Sequence, residues 1–523
     1  MRLREKTILA IQWDTIGTVI TAGLTFLTSV WIVRFLGPER FGVLAILMSV
    51  LALCQLLASG GTRYMVLRFV PEAVKEGGTQ EGARLLMKAT FHRTVMLTLV
   101  ALPLWIFSDL VAEIGLGRPE LAQYVSFLPL LLAPPLYADI LAAGLIALFR
   151  QPTVRSAEVV NKIVFACTLL LLPVWPDPLY GVFTSWVVGW CIGILWLAMD
   201  ASRQGLFHWP AWNGKQAMSR WVRFSGTAYA LTLIGFILGR ELDILLLTRL
   251  GIPSEGVAQY AVIFSFVAMV FALPLLPISG GFDVPLIADL YSRKDWGGLR
   301  RLYNAFFEYV YIFVIPIIGG GLLLGPSLVG YIYGEKYGTV TNVLFSLLVL
   351  LGLTKLGGIT GPFLMAMDRE GLQLRIRLTM AVVNIGLALF AIPRWGLLGA
   401  ALATGASVSG MVIWEVLAVQ RCLHPSYPWG FLGRLSLATG VMMIALQACK
   451  LVVGSDPGLL SLIALVGLGG AAYLAMLLWL RPVSIEHAAL LAEVRVPGLA
   501  ALIARIGRPS PLATSEATGC TRT

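Results

Sequence analysis

Apolar stretches of roughly 20 to 28 residues recur along the whole chain, divided by short segments that carry most of its charge. At a rise of 1.5 Å per residue, each stretch can cross a hydrocarbon core of ~30 Å as a helix. About fourteen are recognisable, over approximately 10–36, 41–61, 86–108, 121–149, 157–175, 179–201, 223–248, 258–282, 303–330, 340–366, 374–393, 396–420, 431–453 and 458–481. No segment between them is long enough for a soluble catalytic domain; the one from Arg203 to Val222, for example, has about twenty residues.

The pattern also repeats. Arg34-Phe-Leu-Gly-Pro-Glu-Arg-Phe-Gly-Val-Leu-Ala-Ile is echoed about 215 residues later by Arg249-Leu-Gly-Ile-Pro-Ser-Glu-Gly-Val-Ala-Gln-Tyr-Ala-Val. Val70-Pro71 and Gly77-Gly78 return as Val284-Pro285 and Gly297-Gly298, and Val159-Val160-Asn161 returns as Val382-Val383-Asn384. Six spans fall within each copy. An even number makes both copies start on the same side, so they are parallel repeats related by an axis along the membrane normal. The predicted organisation is an amino-terminal six-helix lobe over 10–203, a second six-helix lobe over 220–421, two additional helices within 430–481, and a tail over 482–523. Segments 62–84 and 284–301, each following the second span of its copy, mix apolar and charged residues at helical spacing and predict short amphipathic interfacial helices.

Composition agrees with a bilayer setting: 58% of residues are hydrophobic, 13% are charged, and mean hydropathy is +0.83. The fold class expected is therefore all-α integral membrane. One set of loops, with the two ends of the chain, holds 29 of the 39 Lys and Arg residues, which the positive-inside rule places in the cytoplasm together with both termini. That asymmetry accounts for the net charge of +11 without any nucleic-acid partner. The six cysteines form no C-x-x-C pair and mostly fall within apolar spans, and the four histidines form no H-x-x-x-H motif, so neither a disulfide frame nor a metal site is expected. No G-x-x-x-x-G-K-[ST] loop is present, and no cofactor is indicated.

Five motifs in order carry a resemblance to a known family. They are Arg34-Phe-Leu-Gly-Pro-Glu-Arg-Phe-Gly, Arg68-Phe-Val-Pro-Glu-Ala-Val-Lys-Glu-Gly-Gly, Pro285-Leu-Ile-Ala-Asp-Leu-Tyr-Ser-Arg-Lys-Asp-Trp-Gly-Gly-Leu, Ile332-Tyr-Gly-Glu-Lys-Tyr and Trp395-Gly-Leu-Leu-Gly-Ala-Ala-Leu-Ala-Thr. Over roughly residues 10–420 the chain resembles the polysaccharide and oligosaccharide flippase branch of the multidrug/oligosaccharidyl-lipid/polysaccharide exporter superfamily. That resemblance implies a MATE-like arrangement of two lobes and no enzymatic activity. It implies translocation of a polyprenyl-pyrophosphate-linked oligosaccharide across a bacterial inner membrane by alternating access, for surface polysaccharide biosynthesis. Polysaccharide polymerase and chain-length machinery are the protein partners it implies. Two related readings stay open: a cation-coupled exporter of small molecules, and a flippase for the lipid-linked peptidoglycan precursor. A membrane-embedded polymerase, ligase or glycosyltransferase would be expected to carry a large outer loop with catalytic Asp, Arg or His, and the outer loops here are short.

The motifs mark turns and packing; candidate cargo residues are the charges inside spans, where each costs ~2.5 to 3.5 kcal/mol on insertion scales. Lys355 lies about midway along the tenth span among glycines that can loosen the helix. A cargo phosphate would be a natural partner for its ammonium, and an internal salt bridge is the competing reading. In the seventh span Arg240 and Asp243, three residues apart, can share a face and neutralise each other, leaving Glu241 pointing elsewhere; such a pair beside a cavity can also open to take phosphate. Arg34, at the outer end of the first span, either snorkels to the interface or lines the cavity. Asp14 and Asp139 are candidates for an ion-coupling step, with solvation at the interface as the alternative.

Overall fold

The apolar stretches are helical in the computed structural model, which describes residues 3–207, 218–272, 283–425, 429–453, 458–484 and 507–508. The longer helices are α1 (Leu3–Ser59), α2 (Thr62–Ile106), α3 (Leu128–Ala147), α4 (Gln151–Leu169), α5 (Pro178–Arg203), α6 (Met218–Ile237), α7 (Arg240–Arg249), α8 (Ser254–Ala272), α9 (Asp283–Ser292), α10 (Trp296–Tyr333), α11 (Thr341–Leu353), α12 (Gly357–Ala366), α13 (Glu370–Leu423), α14 (Trp429–Val453) and α15 (Leu459–Leu480). Among the described residues, eight continuous helical runs are long and apolar enough to cross a membrane. Large apolar side chains stay uncovered on them, with Val452, Leu460 and Trp479 each at least 75% exposed. A hydrocarbon solvent accepts such a surface, whereas water would drive it together.

Several runs hold more than one predicted span because the chain reverses with almost no loop. Gly37 (φ 70°, ψ 173°) breaks α1, and Gly396 (φ 55°, ψ −126°) breaks α13. Both lie in the left-handed half of φ space that glycine alone enters cheaply. After Gly396 the two arms of α13 run antiparallel, as the bonds Asn384 to Thr404 (3.1 Å) and Arg377 to Glu415 (3.2 Å) show.

Backbone geometry reproduces the sequence repeat. Gly37 and Gly251 both have positive φ, at 70° and 84°. After the fourth span of each copy, Phe149 (φ 59°) and Asp368 (φ 57°) end α3 and α12 in the same way. There Arg150 N donates to Leu145 O and Arg369 N donates to Leu364 O, each at 2.9 Å, the six-to-one bond of a Schellman motif. The paired asparagines match as well: Asn161 is buried against Gly189 of α5, and Asn384 is buried against Thr404 on the second arm of α13.

The chain divides into two compact units, Met1–Ala261 and Val262–Thr523. In the first unit, residues 62–77 of the predicted 62–84 segment are helical, as expected. The chain folds back at Gly78 (φ 75°, ψ −175°), and Met65, Val66, Phe69 and Val70 are buried with Ala83, Leu86 and Ala89 and with residues of α3. The apolar face of the amphipathic segment is thus covered by protein. The first unit also includes α6, α7 and the start of α8. Arg118 ties to that start through Ser254 Oγ (2.5 Å) and Ile252 O (2.6 Å). In the second unit, glycines of α10 let α11 and α14 approach closely: a Cβ on Gly321 would meet Leu348 at 2.9 Å, and one on Gly319 would meet Thr439 at 2.6 Å. Residues 208–217 of the segment after Arg203, residues 273–282 with Pro274 and Pro277, and most of the 482–523 tail lie outside the described residues.

Candidate functional site

Two of the candidate charges occupy interruptions of predicted spans. The tenth span is not one helix: α11 ends at Leu353, Thr354–Leu356 form a 3-10 turn, and α12 begins at Gly357. Lys355 is the middle residue of that turn. It is half-buried, and its ammonium stands 5.5 Å from the centre of the Phe271 ring, within cation–π range. Among the described residues Lys355 has no carboxylate partner, which is the partner that the internal-salt-bridge reading requires. The 3-10 turn connects α11 directly to α12, and Thr354 N donates to Leu350 O and Gly352 O at the junction.

The seventh span breaks at Gly239, and Arg240 opens α7. Arg240 donates to Glu241 Oε1 at 3.2 Å, so Glu241, expected to point elsewhere, is an acceptor for it. Asp243 is fully buried and accepts from the hydroxyl of Tyr260 at 2.5 Å. Tyr260 belongs to the second copy of the repeat motif, so the buried acid is tied to the scaffold that the repeat defines.

Asp139 is engaged by two guanidiniums. Arg93 NH1 donates to its Oδ2 at 2.8 Å, and Arg63 NH1 bonds its Oδ1. The Arg93 side chain has no exposed surface; its Nε donates to Thr62 Oγ1 (2.7 Å) and its NH1 also reaches Leu136 O (2.6 Å). Two cations around one carboxylate leave the cluster with one excess positive charge. Sequence reasoning placed Arg63 in a cytoplasmic loop and passed over Arg93, although Arg93 lies well inside the third span. The signal that would have found the pair is the fold-back at Gly78: Arg63 and Arg93 stand fifteen residues on either side of it, so an antiparallel helix pair brings them level.

Arg34 is exposed three residues before the Gly37 break, beside the stacked rings of Trp31 and Phe35. Asp14 falls on α1, outside the residues whose side chains are described. In the second unit Glu415 is fully buried and accepts from Arg377 Nε (3.2 Å) and Thr360 Oγ1 (2.8 Å), a second acid neutralised by an arginine. The structure therefore brings Asp139 together with two arginines that were not foreseen, and leaves Lys355 as a span charge held by an aromatic ring.

Comparison with known proteins adds four relationships. The family described as "Polysaccharide biosynthesis protein" matches residues 10–290. The lipopolysaccharide biosynthesis protein WzxC of Escherichia coli (strain K12) is 24% identical over 380 residues, covering 72% of this chain and 73% of its own. The probable low-salt glycan biosynthesis flippase Agl15 of Haloferax volcanii is 19% identical over 468 residues, covering 90% and 95%. Among solved structures, the lipid II flippase MurJ in an inward closed conformation superposes with a TM-score of 0.71 at 14% identity, covering 89% of this chain and 98% of that one.

Proposed function

Because the chain belongs to the polysaccharide biosynthesis protein family, we propose that it is a flippase moving a saccharide linked through pyrophosphate to a polyprenol from one leaflet of its membrane to the other. It is a multi-pass membrane protein and a transporter rather than an enzyme. Sugars and phosphates do not cross hydrocarbon unaided, because their polar groups would be stripped of water. A protein that lines a hydrated route for them removes that barrier.

The observation that carries this reading is Lys355: a cation inside a predicted span, at a break between two half-helices, with Phe271 beside it and no carboxylate partner among the described residues. A mobile anionic headgroup fits such a position, and an organic cation does not. Arg240, at the second helix break, is the natural accessory cation, with Asp243 holding the start of α7 in place. Arg34 is proposed to meet the cargo at the opposite end of its span. Residues 10–203 and 220–421 then act as the two lobes whose rocking exposes the cargo to alternate sides, with 430–481 beside them and both termini in the cytoplasm of a bacterial inner membrane. Polymerase and chain-length machinery would receive the product.

The test is complementation of a strain lacking the gene. Lys355→Arg should restore surface glycan and Lys355→Ala should not, at equal protein levels, with lipid-linked oligosaccharide accumulating in the cytoplasmic leaflet. Full complementation by Lys355→Ala would remove the anion-site assignment, and an absence of accumulation in the deletion strain would remove the flippase reading itself.

A further inference from the structure

The antiparallel arms of α13 bring residues 369 and 421 to the same end of the helix pair, each about 26 residues from the reversal at Gly396. Between them lies a cleft of about 530 Å³ lined by Arg369, Leu372, Trp414, Leu417, Ala418, Arg421 and Cys422. Both arginines are exposed, and neither enters an ion pair among the described residues. Asp368 and Glu370 flank Arg369 in sequence, but neither lines the cleft. Arg421, Leu417 and Ile413 succeed one another at intervals of four residues, so they form one face of the helix. Leu417 is 47% exposed and Ile413 is 60% exposed. One face therefore presents a cation at the helix end and uncovered apolar side chains about 6 and 12 Å along the axis from it.

We propose that this cleft holds the phosphate of an anionic bilayer phospholipid, with an acyl chain lying along Leu417 and Ile413. A soluble anion would need the two guanidiniums alone. The apolar strip that begins directly beneath them, and the Trp414 ring in the cleft wall, match a molecule whose charge and hydrocarbon are joined in that order. Paired guanidiniums hold phosphate oxygens by charge-assisted bonds, and basic pockets between membrane helices select anionic headgroups by this means. The site is independent of cargo transport and involves neither Lys355 nor Arg240.

The experiment titrates delipidated full-length protein with phosphatidylglycerol, phosphatidylcholine and inorganic phosphate, with binding read by native mass spectrometry. Phosphatidylglycerol should bind more tightly than phosphatidylcholine, and the double variant Arg369→Gln/Arg421→Gln should lower its affinity on the order of 10-fold while leaving phosphatidylcholine unchanged. Leu417→Ser should weaken the lipid and spare inorganic phosphate. All these substitutions are at exposed positions, so elution as wild type confirms folding. Equal affinity for the two lipids, or undiminished phosphatidylglycerol binding by the double variant, overturns the proposal. Inorganic phosphate binding as tightly as phosphatidylglycerol, with no effect of Leu417→Ser on the lipid, assigns the cleft to a soluble anion and overturns it too.

Discussion

Replacing Asp139 by Asn tests whether that carboxylate is a counter-ion or an ion carrier. Asn keeps the shape and one acceptor oxygen but removes the charge that faces Arg93 and Arg63. Arg93 has no exposed surface, and its other acceptors, Thr62 Oγ1 and Leu136 O, are neutral. Stranding a buried charge in this way costs about 3–5 kcal/mol. The Asp139 side chain is 31% exposed, so water already screens part of the attraction, and the expected loss is nearer ~2–3 kcal/mol. The assay is thermal unfolding of detergent-purified protein, where the midpoint should fall by several degrees. Arg93→Met together with Asp139→Asn removes the stranded charge and should return stability to within about 1 kcal/mol of wild type. As a counter-ion, Asp139 is dispensable once Arg93 is gone, so the double variant should also support surface glycan. Wild-type stability of Asp139→Asn would refute this reasoning, and so would a double variant that folds like wild type yet transports nothing.

Three further outcomes follow from the same structure. Gly37→Ala should cost about 1–3 kcal/mol through backbone strain alone, since no atom lies within 4 Å of the added methyl; Gly23→Ala, helical and equally uncrowded, is the control and should be neutral or stabilising by up to ~1 kcal/mol in the same melting assay. Lys355→Met should leave the melting midpoint within about 1–2 kcal/mol of wild type, because only a cation–π contact is lost, while surface glycan disappears; a large loss of stability would mark Lys355 as a packing residue. Arg377→Met should destabilise by about 3–5 kcal/mol because it leaves the fully buried Glu415 without its cation, and adding Glu415→Gln should recover most of that loss.

The features that hydrophobic length decides were legible from the chain: the class of fold, the positions of the helical stretches, and the reversals at Gly37 and Gly396, where a glycine between two apolar runs allows a turn without a loop. Pairing across distant segments was not. Arg93 meets Asp139 because α2 and α3 pack, and Arg63 joins them because the chain folds back at Gly78. Periodicity within one span carries no information about either event. The amphipathic stretch before Gly78 carries a related ambiguity: a helix with one apolar face reads alike whether lipid or another helix covers it. The break at Lys355 was legible only in part. Flanking glycines indicated a weak helix there, but the partner ring, Phe271, lies 84 residues away in sequence.

The repeat separates scaffold from function more sharply than any single residue does. Positions that match between the copies are those where backbone geometry is demanding: Gly37 with Gly251, Phe149 with Asp368, Asn161 with Asn384. The 219-residue interval between Phe149 and Asp368 puts Lys355 at the place of Leu136, whose carbonyl accepts from Arg93 and which lies one helical turn from Asp139. At the 215-residue interval of the first motif, Arg93 itself is replaced by the buried acid Glu308. Each copy thus carries a charged residue in this region, Asp139 within α3 and Lys355, three positions from equivalence, in the turn before α12, and the two are of opposite sign. A duplicated scaffold would by itself repeat the charge along with the geometry. The difference between the copies is local: Asp139 sits between two arginines, whereas Lys355 faces the Phe271 ring with no carboxylate partner among the described residues.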